Sequence, residues 1–382
     1  MDDLAADLTA YLEQVRDEQI ELLRRLVVAE SPSLVPTAQD EIMSILQAEL
    51  ESVDLVVQHI PGEKSGGHLL GRPRSQTGTG AQLLVGHCDT VWPLGTLEQR
   101  PFAIRDDRMT GPGVYDMKAG LTQIIFALRA LREVGTAPAL QPMVFVNSDE
   151  EIGSRESRDH VQSLAREVDR ALVLEPSLGP SGKLKTARKG SGRFTLTVKG
   201  RAAHAGLDPD AGASAILELS FLIQKLFALN DAERGISVNV GMIDGGLRPN
   251  VVAPNSSATV DVRVLHQQDV AAIEETIRGL RPSTPGVEIE VEGGMGRPPL
   301  GHNHRNRALW DLARRCGGAL GIELSEGTAG GGSDGNYTSL HTATLDGLGA
   351  VGDGAHAEHE YVEIGPTLER TALLALLLAS PT

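Results

Sequence analysis

Apolar residues at Leu4, Leu8, Leu12, Val15, Leu22, Leu23 and Leu26 recur at helical spacing and predict one long helix over residues 4–29. A second helix is expected over 39–52. Short, nearly continuous apolar runs at 82–86, 142–147 and 170–174 then read as strands, and periodic stretches at 118–133 and 157–168 read as helices. Strands that are apolar on both faces belong to a mostly parallel sheet covered by helices on either side. From about Thr186 the rhythm changes. A strand at 192–200 precedes a helix at 212–229, strands at 236–243 and 256–264, a helix at 269–280 and a strand at 287–292. This β-α-β-β-α-β order is ferredoxin-like. It predicts an α+β domain over 186–297, inserted into an α/β domain made of 1–185 and 298–382. The α/β pattern resumes with a helix at 306–317 and ends in a helix from Pro366. The stretch 65–80 reads as a featureless loop, and no internal repeat is visible.

Composition changes this picture little. A chain of 382 residues, 41% hydrophobic, exceeds one ordinary core and supports two domains. No apolar run reaches membrane-spanning length; the run at 373–378 suits a terminal core helix. The opening Met1-Asp2-Asp3 lacks the basic start of a signal peptide, so a cytoplasmic protein is expected. The net charge of −16 argues against nucleic acid or an anionic membrane as partner. Cys88 and Cys316 form no Cys-x-x-Cys pair and are expected to be small buried residues.

The chemistry gathers at strand ends. The first predicted strand runs into His87-Cys88-Asp89, the second is followed by Glu150-Glu151, and the third by Glu175-Pro176. Asp116 stands just before the helix at 118. Alone, each has an ordinary explanation: a surface His–Asp pair, a solvated acidic loop, a turn, a helix N-cap. Together they bring imidazole and carboxylate to one rim of an open α/β sheet, where binding sites form. Such donors suit a borderline cation such as zinc. A second histidine is still needed, and His341, His356 and His359 are all candidates.

These motifs resemble the aminoacylase/carboxypeptidase family of two-zinc metallopeptidases, most of all its folate-hydrolysing glutamate carboxypeptidase branch. Gly-His-Cys-Asp-Thr-Val-Trp-Pro at 86–93 resembles the family's His-x-Asp-Thr-Val motif. Gly-Pro-Gly-Val-Tyr-Asp-Met-Lys-Ala-Gly at 111–120 resembles its Gly-Asp-x-Lys-Gly motif, and Ser-Asp-Glu-Glu-Ile-Gly-Ser at 148–154 its Glu-Glu-x-Gly-Ser motif. The resemblance implies two zinc ions, with cobalt or manganese as possible substitutes. It implies that Asp116 bridges them, that Glu151 and His356 complete one, and that His87 and Glu175 complete the other. His356 is selected over His359 because Glu360-Tyr361 follows at the family's spacing. Glu150 is then the general base, and Asp89 holds the ring of His87.

Within the inserted domain, Gly-Arg-Ala-Ala-His-Ala-Gly at 200–206 resembles the motif whose histidine, here His204, reaches a dimer partner's site and polarises the scissile carbonyl. Asn250, Arg263 and the glycine-rich Gly330, Gly331 and Gly332 match substrate-contacting positions; Arg297 is a weaker match. The expected activity is hydrolysis of an amide bond before a C-terminal amino acid, glutamate by preference. N-acyl amino-acid deacylation of the acetylornithine or succinyl-diaminopimelate kind is the alternative. The expected partners are a small substrate with a free carboxylate and a second copy of the chain, joined through the inserted domain. Local cations and backbone N–H groups would then attract an anion against the repulsive overall charge.

Overall fold

The computed structural model describes residues 1–74 and 80–381. The chain divides into two compact units, Met1–Thr186 with His302–Ala329 and Ser333–Thr382, and Ala187–Gly301 with Gly330–Gly332.

The first unit is built on a six-stranded sheet. Its spatial order is Leu55–Ile60, His68–Pro73, Gln141–Asn147, Ala81–His87, Arg170–Val173 and Ala343–Leu345. The last four run parallel, and the first two join antiparallel at one edge. Alternation along the strands explains their apolar character. Leu84, Val144 and Leu172 enter one core with the helices Ala119–Glu133 and Ile364–Ala379. Leu83, Val85, Phe145 and Val173 enter a separate core with Val161 and Leu164 of the helix Arg158–Glu167. Gly120 lets its helix close on the sheet, since a Cβ there would lie 2.1 Å from the carbonyl oxygen of Leu174.

Two expectations need correction, and one element was not foreseen. The long N-terminal helix is two helices, Asp2–Gln14 and Arg16–Val28, bent at Val15. Backbone bonds from Val15 to Tyr11 and from Gln19 to Val15 carry the apolar stripe through the bend, so periodicity hides it. The expected loop at 65–80 contains the strand His68–Pro73, while its residues 75–79 lie outside the described residues. A small sheet of Ala103–Arg105, Arg108–Thr110, Tyr361–Glu363 and Gly352–Asp353 joins distant segments whose strands are too short for a local signal.

The second unit has four antiparallel strands in the order Ser237–Gly245, Asn255–Val264, Gly190–Lys199, Glu288–Arg297. The helices Ala215–Phe227 and Gln267–Arg278 complete the ferredoxin-like order. Phe194, Leu196, Val260 and Val262 pack with Leu222, Leu226, Ile273 and Ile277. The strand Ser237–Gly245 is an edge strand, and it ends in exposed Met242 and Ile243. Ile216, Leu217 and Phe221 of the helix Ala215–Phe227 are also exposed. Among the described residues no helix is long and apolar enough to cross a membrane.

Candidate active site

The parallel strands deliver their functional residues at their C-terminal ends. His87 ends its strand and is buried; its Nδ1 lies 3.1 Å from the backbone oxygen of Asp89 and 3.4 Å from that residue's carboxylate. Its Nε2 faces Asp116 Oδ1 at 3.2 Å and Glu175 Oε1 at 3.4 Å. The other oxygen of Asp116 lies 3.4 Å from Nε2 of His356. His356 also meets Glu151, at 2.9 Å. Asp116 therefore stands between the two imidazoles, one oxygen toward each.

Glu150 belongs to the same cluster. One ligand atom from each of His87, Glu150 and Glu175 lies within 4.8 Å of the others, and the same holds for His87, Asp116 and Glu151. Distance alone thus does not divide the adjacent acids into ligand and base; contact with His356 singles out Glu151.

Asp89 does more than orient His87. Its oxygens accept the backbone N–H groups of Glu150 and Glu151, each at 3.2 Å, and the hydroxyl of Ser33 at 2.7 Å. It therefore fixes the acidic turn as well as the ring. Lys185 Nζ stands 4.0 Å from Glu175. Sequence reasoning gave no role to Ser33, Lys185 or Glu360, because their partners are distant in the chain. Glu360, noted only as a spacing marker, accepts the N–H groups of Gly113, Tyr115 and Asp116. Gly354, at φ +84°, allows the His356 loop to fold tightly, since a Cβ there would sit 2.9 Å from Glu360 backbone. His356 itself holds φ +60°, an uncommon conformation for a non-glycine residue.

The charges of the cluster act strongly on one another. Burial alone would depress His87, yet Asp116, Asp89 and Glu175 hold it well above the ordinary imidazole value. Asp116 and Glu151 lift His356 to about 10. Asp116 is opposed by burial but is pulled below the usual carboxylate range by His356 and His87. Burial pushes Glu151 up to about 7. Five carboxylates, Asp89, Asp116, Glu150, Glu151 and Glu175, thus crowd two imidazoles, an excess of negative donors at one place. Divalent cations would balance that charge. The donors are carboxylate oxygen and imidazole nitrogen, which fits zinc or a similar metal. No thiolate takes part: Cys88 Sγ lies against Met43 and burial pushes its thiol up to about 12.

The remaining sequence candidates belong to the second unit. His204 lies in an exposed loop, where its Nδ1 accepts the N–H groups of Gly206 at 3.2 Å and Leu207 at 3.1 Å. Its Nε2 is then the protonated nitrogen. The Asn250 loop runs beside it, its carbonyl accepting from Ala205 at 3.0 Å. Arg263 pairs with Asp261 on its own strand, at 2.8 and 3.0 Å. Arg188 donates to the carbonyls of Gly331 and Gly332, both at 3.2 Å, which fixes the glycine loop containing Gly330. Arg297 ends its strand, buried.

The known proteins that this chain is similar to share this design in sequence or in fold. It is 30% identical over 345 residues to carboxypeptidase G2 of Pseudomonas sp. (strain RS-16), covering 88% of this chain and 82% of that protein. It is 28% identical over 299 residues to acetylornithine deacetylase of Proteus mirabilis, covering 72% and 74%. The crystal structure of aminopeptidase PepT from Bacillus cereus superposes with a TM-score of 0.79 at 21% identity, covering 96% of this chain and 98% of that one; it shares the fold. The model of peptidase family M20/M25/M40 matches residues 83–380, a span that begins in the His87 strand and takes in every residue of the acidic cluster. The cluster supplies candidate metal ligands, and the chain belongs to that family and is a metal-dependent hydrolase.

Proposed function

We propose that the protein is a zinc-dependent carboxypeptidase that hydrolyses the amide bond before a C-terminal amino acid, with glutamate preferred. The observation that carries this reading is Asp116, half-buried between His87 and His356 with one oxygen directed at each. In this reading His87, Asp116 and Glu175 hold one zinc ion, and Asp116, Glu151 and His356 hold a second. Bound there, the pair would supply the Lewis acidity that acidifies water and polarises a carbonyl.

The chain's own residues do the rest. Glu150 takes the proton from the attacking water and hands it to the leaving amine. Its backbone is held by Asp89, so the carboxylate is placed before substrate arrives. His204 donates from Nε2 to the developing oxyanion; the acceptor role of its Nδ1 supports that tautomer. Arg263, Asn250 and the N–H groups of Gly330, Gly331 and Gly332 bind the free carboxylate of the leaving amino acid. We place the enzyme in the cytoplasm, as a homodimer joined through the inserted domain. An edge strand and helix that expose Met242, Ile243, Ile216, Leu217 and Phe221 support that pairing.

The test is hydrolysis of a panel of N-acyl amino acids and C-terminal glutamyl peptides by zinc-loaded protein. The expected result is fastest turnover of substrates that release glutamate, with amidation of the released carboxylate raising KM. Preference for N-acetylornithine, favoured by the likeness to acetylornithine deacetylase, would assign the chain to amino-acid deacylation instead. Undiminished activity in verifiably metal-free protein would remove both readings.

A further inference from the structure

The two loops that carry Asp116 and His356 approach from different parts of the chain, and one buried side chain ties them together. Glu360 lies four residues beyond His356 and is 1% exposed. Its Oε1 accepts from the backbone of Tyr115 at 2.9 Å and Asp116 at 3.1 Å. Its Oε2 accepts from the backbone of Gly113 at 2.9 Å and from Trp92 Nε1 at 3.0 Å. Four N–H groups thus converge on one carboxylate, two per oxygen. The loop behind it is equally determined. Ala357 donates to Gly354, and Glu360 donates to Ala357. Arg100 stacks on Trp92 at 4.2 Å while donating to the Ala357 carbonyl at 3.3 Å. The strand that starts at Tyr361 pairs with Arg108–Thr110, the segment from which the Asp116 turn departs.

We infer that Glu360 is the positioning residue that sets the spacing between Asp116 and His356, and through it the affinity of the ion those two residues share. This rests on the two-ion reading above. Only a carboxylate satisfies all four donors. A glutamine would turn its amide NH2 toward two of them, leaving those N–H groups unpaired and facing another donor. The Asp116 turn would then shift relative to His356. The ion of His87 and Glu175 would share Asp116 as well, but its other two ligands follow strand ends that do not touch Glu360, whereas the ion of His356 would have Asp116 and His356 both displaced relative to each other, so the damage falls mainly on that ion.

Calorimetric titration of metal-free protein with zinc tests this, in wild type, Glu360→Gln and Trp92→Phe. Wild type is expected to show two binding events. Glu360→Gln should weaken one by about 10- to 100-fold and the other, which keeps His87 and Glu175 in place, distinctly less. Trp92→Phe, which keeps the carboxylate and removes a single donor, should weaken the same event less. Turnover of Glu360→Gln should recover at saturating zinc with KM unchanged, which damage to the fold as a whole would not permit. Unchanged affinities, or both falling by the same factor, would overturn the assignment. If Glu360→Gln does not fold, the Trp92→Phe titration decides: a loss clearly larger in one event supports the assignment, and no loss or equal loss refutes it. Fewer than two events in wild type would instead overturn the two-ion reading and, with it, this inference.

Discussion

The strand-end cluster and the His204–Arg263 region make opposite use of their surroundings. In the first, every side chain is held by its own chain before anything binds: His87 by Asp89, the Glu150–Glu151 turn by Asp89, and the Asp116 turn by Glu360. In the second, His204 is exposed, its ring held by N–H groups of its own loop, and Arg263 is engaged with Asp261. In the proposed function, that difference would separate a centre that holds cations rigidly from groups that meet a substrate when it arrives. Rigid placement of carboxylates is what selects and holds a metal. Exposed donors are cheap to maintain and can exchange an internal partner for a ligand.

The largest effect should come from breaking the rigid side. Glu150→Gln is expected to lower kcat by about 10²- to 10⁴-fold while both metals remain, because glutamine cannot carry the proton. Glu151→Ala should lose metal along with activity. Elemental analysis beside turnover distinguishes them; loss of metal from Glu150→Gln with full loading of Glu151→Ala would reverse the assignment within the pair.

His204→Ala should come next, with kcat lowered by about 10²- to 10³-fold and metal content unchanged. Its role across a dimer is checked by complementation. Refolding His204→Ala together with Glu150→Gln should regenerate activity that neither homodimer has, because one site of the mixed dimer receives an intact base and an intact histidine. Exchange of subunits without return of activity would confine His204 to its own chain, and full activity of a monomer would remove the dimer as well.

The smallest effect is expected at Arg263. Its replacement by alanine removes a charge-assisted bond to the substrate carboxylate, of order 1.5–3 kcal/mol, and should raise KM by about 10- to 100-fold on acid substrates while leaving amidated ones unaffected. Equal losses on acid and amide would return Arg263 to a structural pair with Asp261. That outcome would also make the second region as self-contained as the first.

The two regions were unequally legible in the sequence. Buried parallel strands are apolar throughout, so 82–86, 142–147 and 170–174 stood out, and the donors that follow them stood out with them. The strand Leu55–Ile60 escaped because Gln58 and His59 interrupt it, and His68–Pro73 because Gly71, Arg72 and Pro73 resemble a loop. Leu55–Ile60 lies at the sheet edge, where partial burial relaxes the apolar requirement, while His68–Pro73 is buried on both faces over too few apolar residues to stand out. The bend at Val15 was invisible because it leaves the helical stripe in phase. Glu360 was visible only as a letter beside a histidine. Its four donors come from three positions more than 240 residues earlier and from Trp92, and no local pattern encodes such convergence. Arg263 could be found by motif, but its pairing with Asp261 depends on their sharing one face of a strand.

The interruption of the main sheet has a consequence for the order of folding. Arg170–Val173 and Ala343–Leu345 are adjacent parallel strands, yet 169 residues separate them (343 − 173 − 1). Of these, the 115 residues 187–301 form a unit with its own core. If that unit folds first, the loop to be closed shrinks to roughly 54 residues, which lowers the closure cost by about 1 kcal/mol. His356 lies beyond the late strand, so the metal centre would be the last feature to assemble, and newly made chains would pass through a stage that is compact but unable to retain zinc. Pulse-labelling hydrogen exchange would show this as early protection of amides in Gly190–Lys199 and Asn255–Val264, before those of Ala343–Leu345. Simultaneous protection would mean that the two units form together.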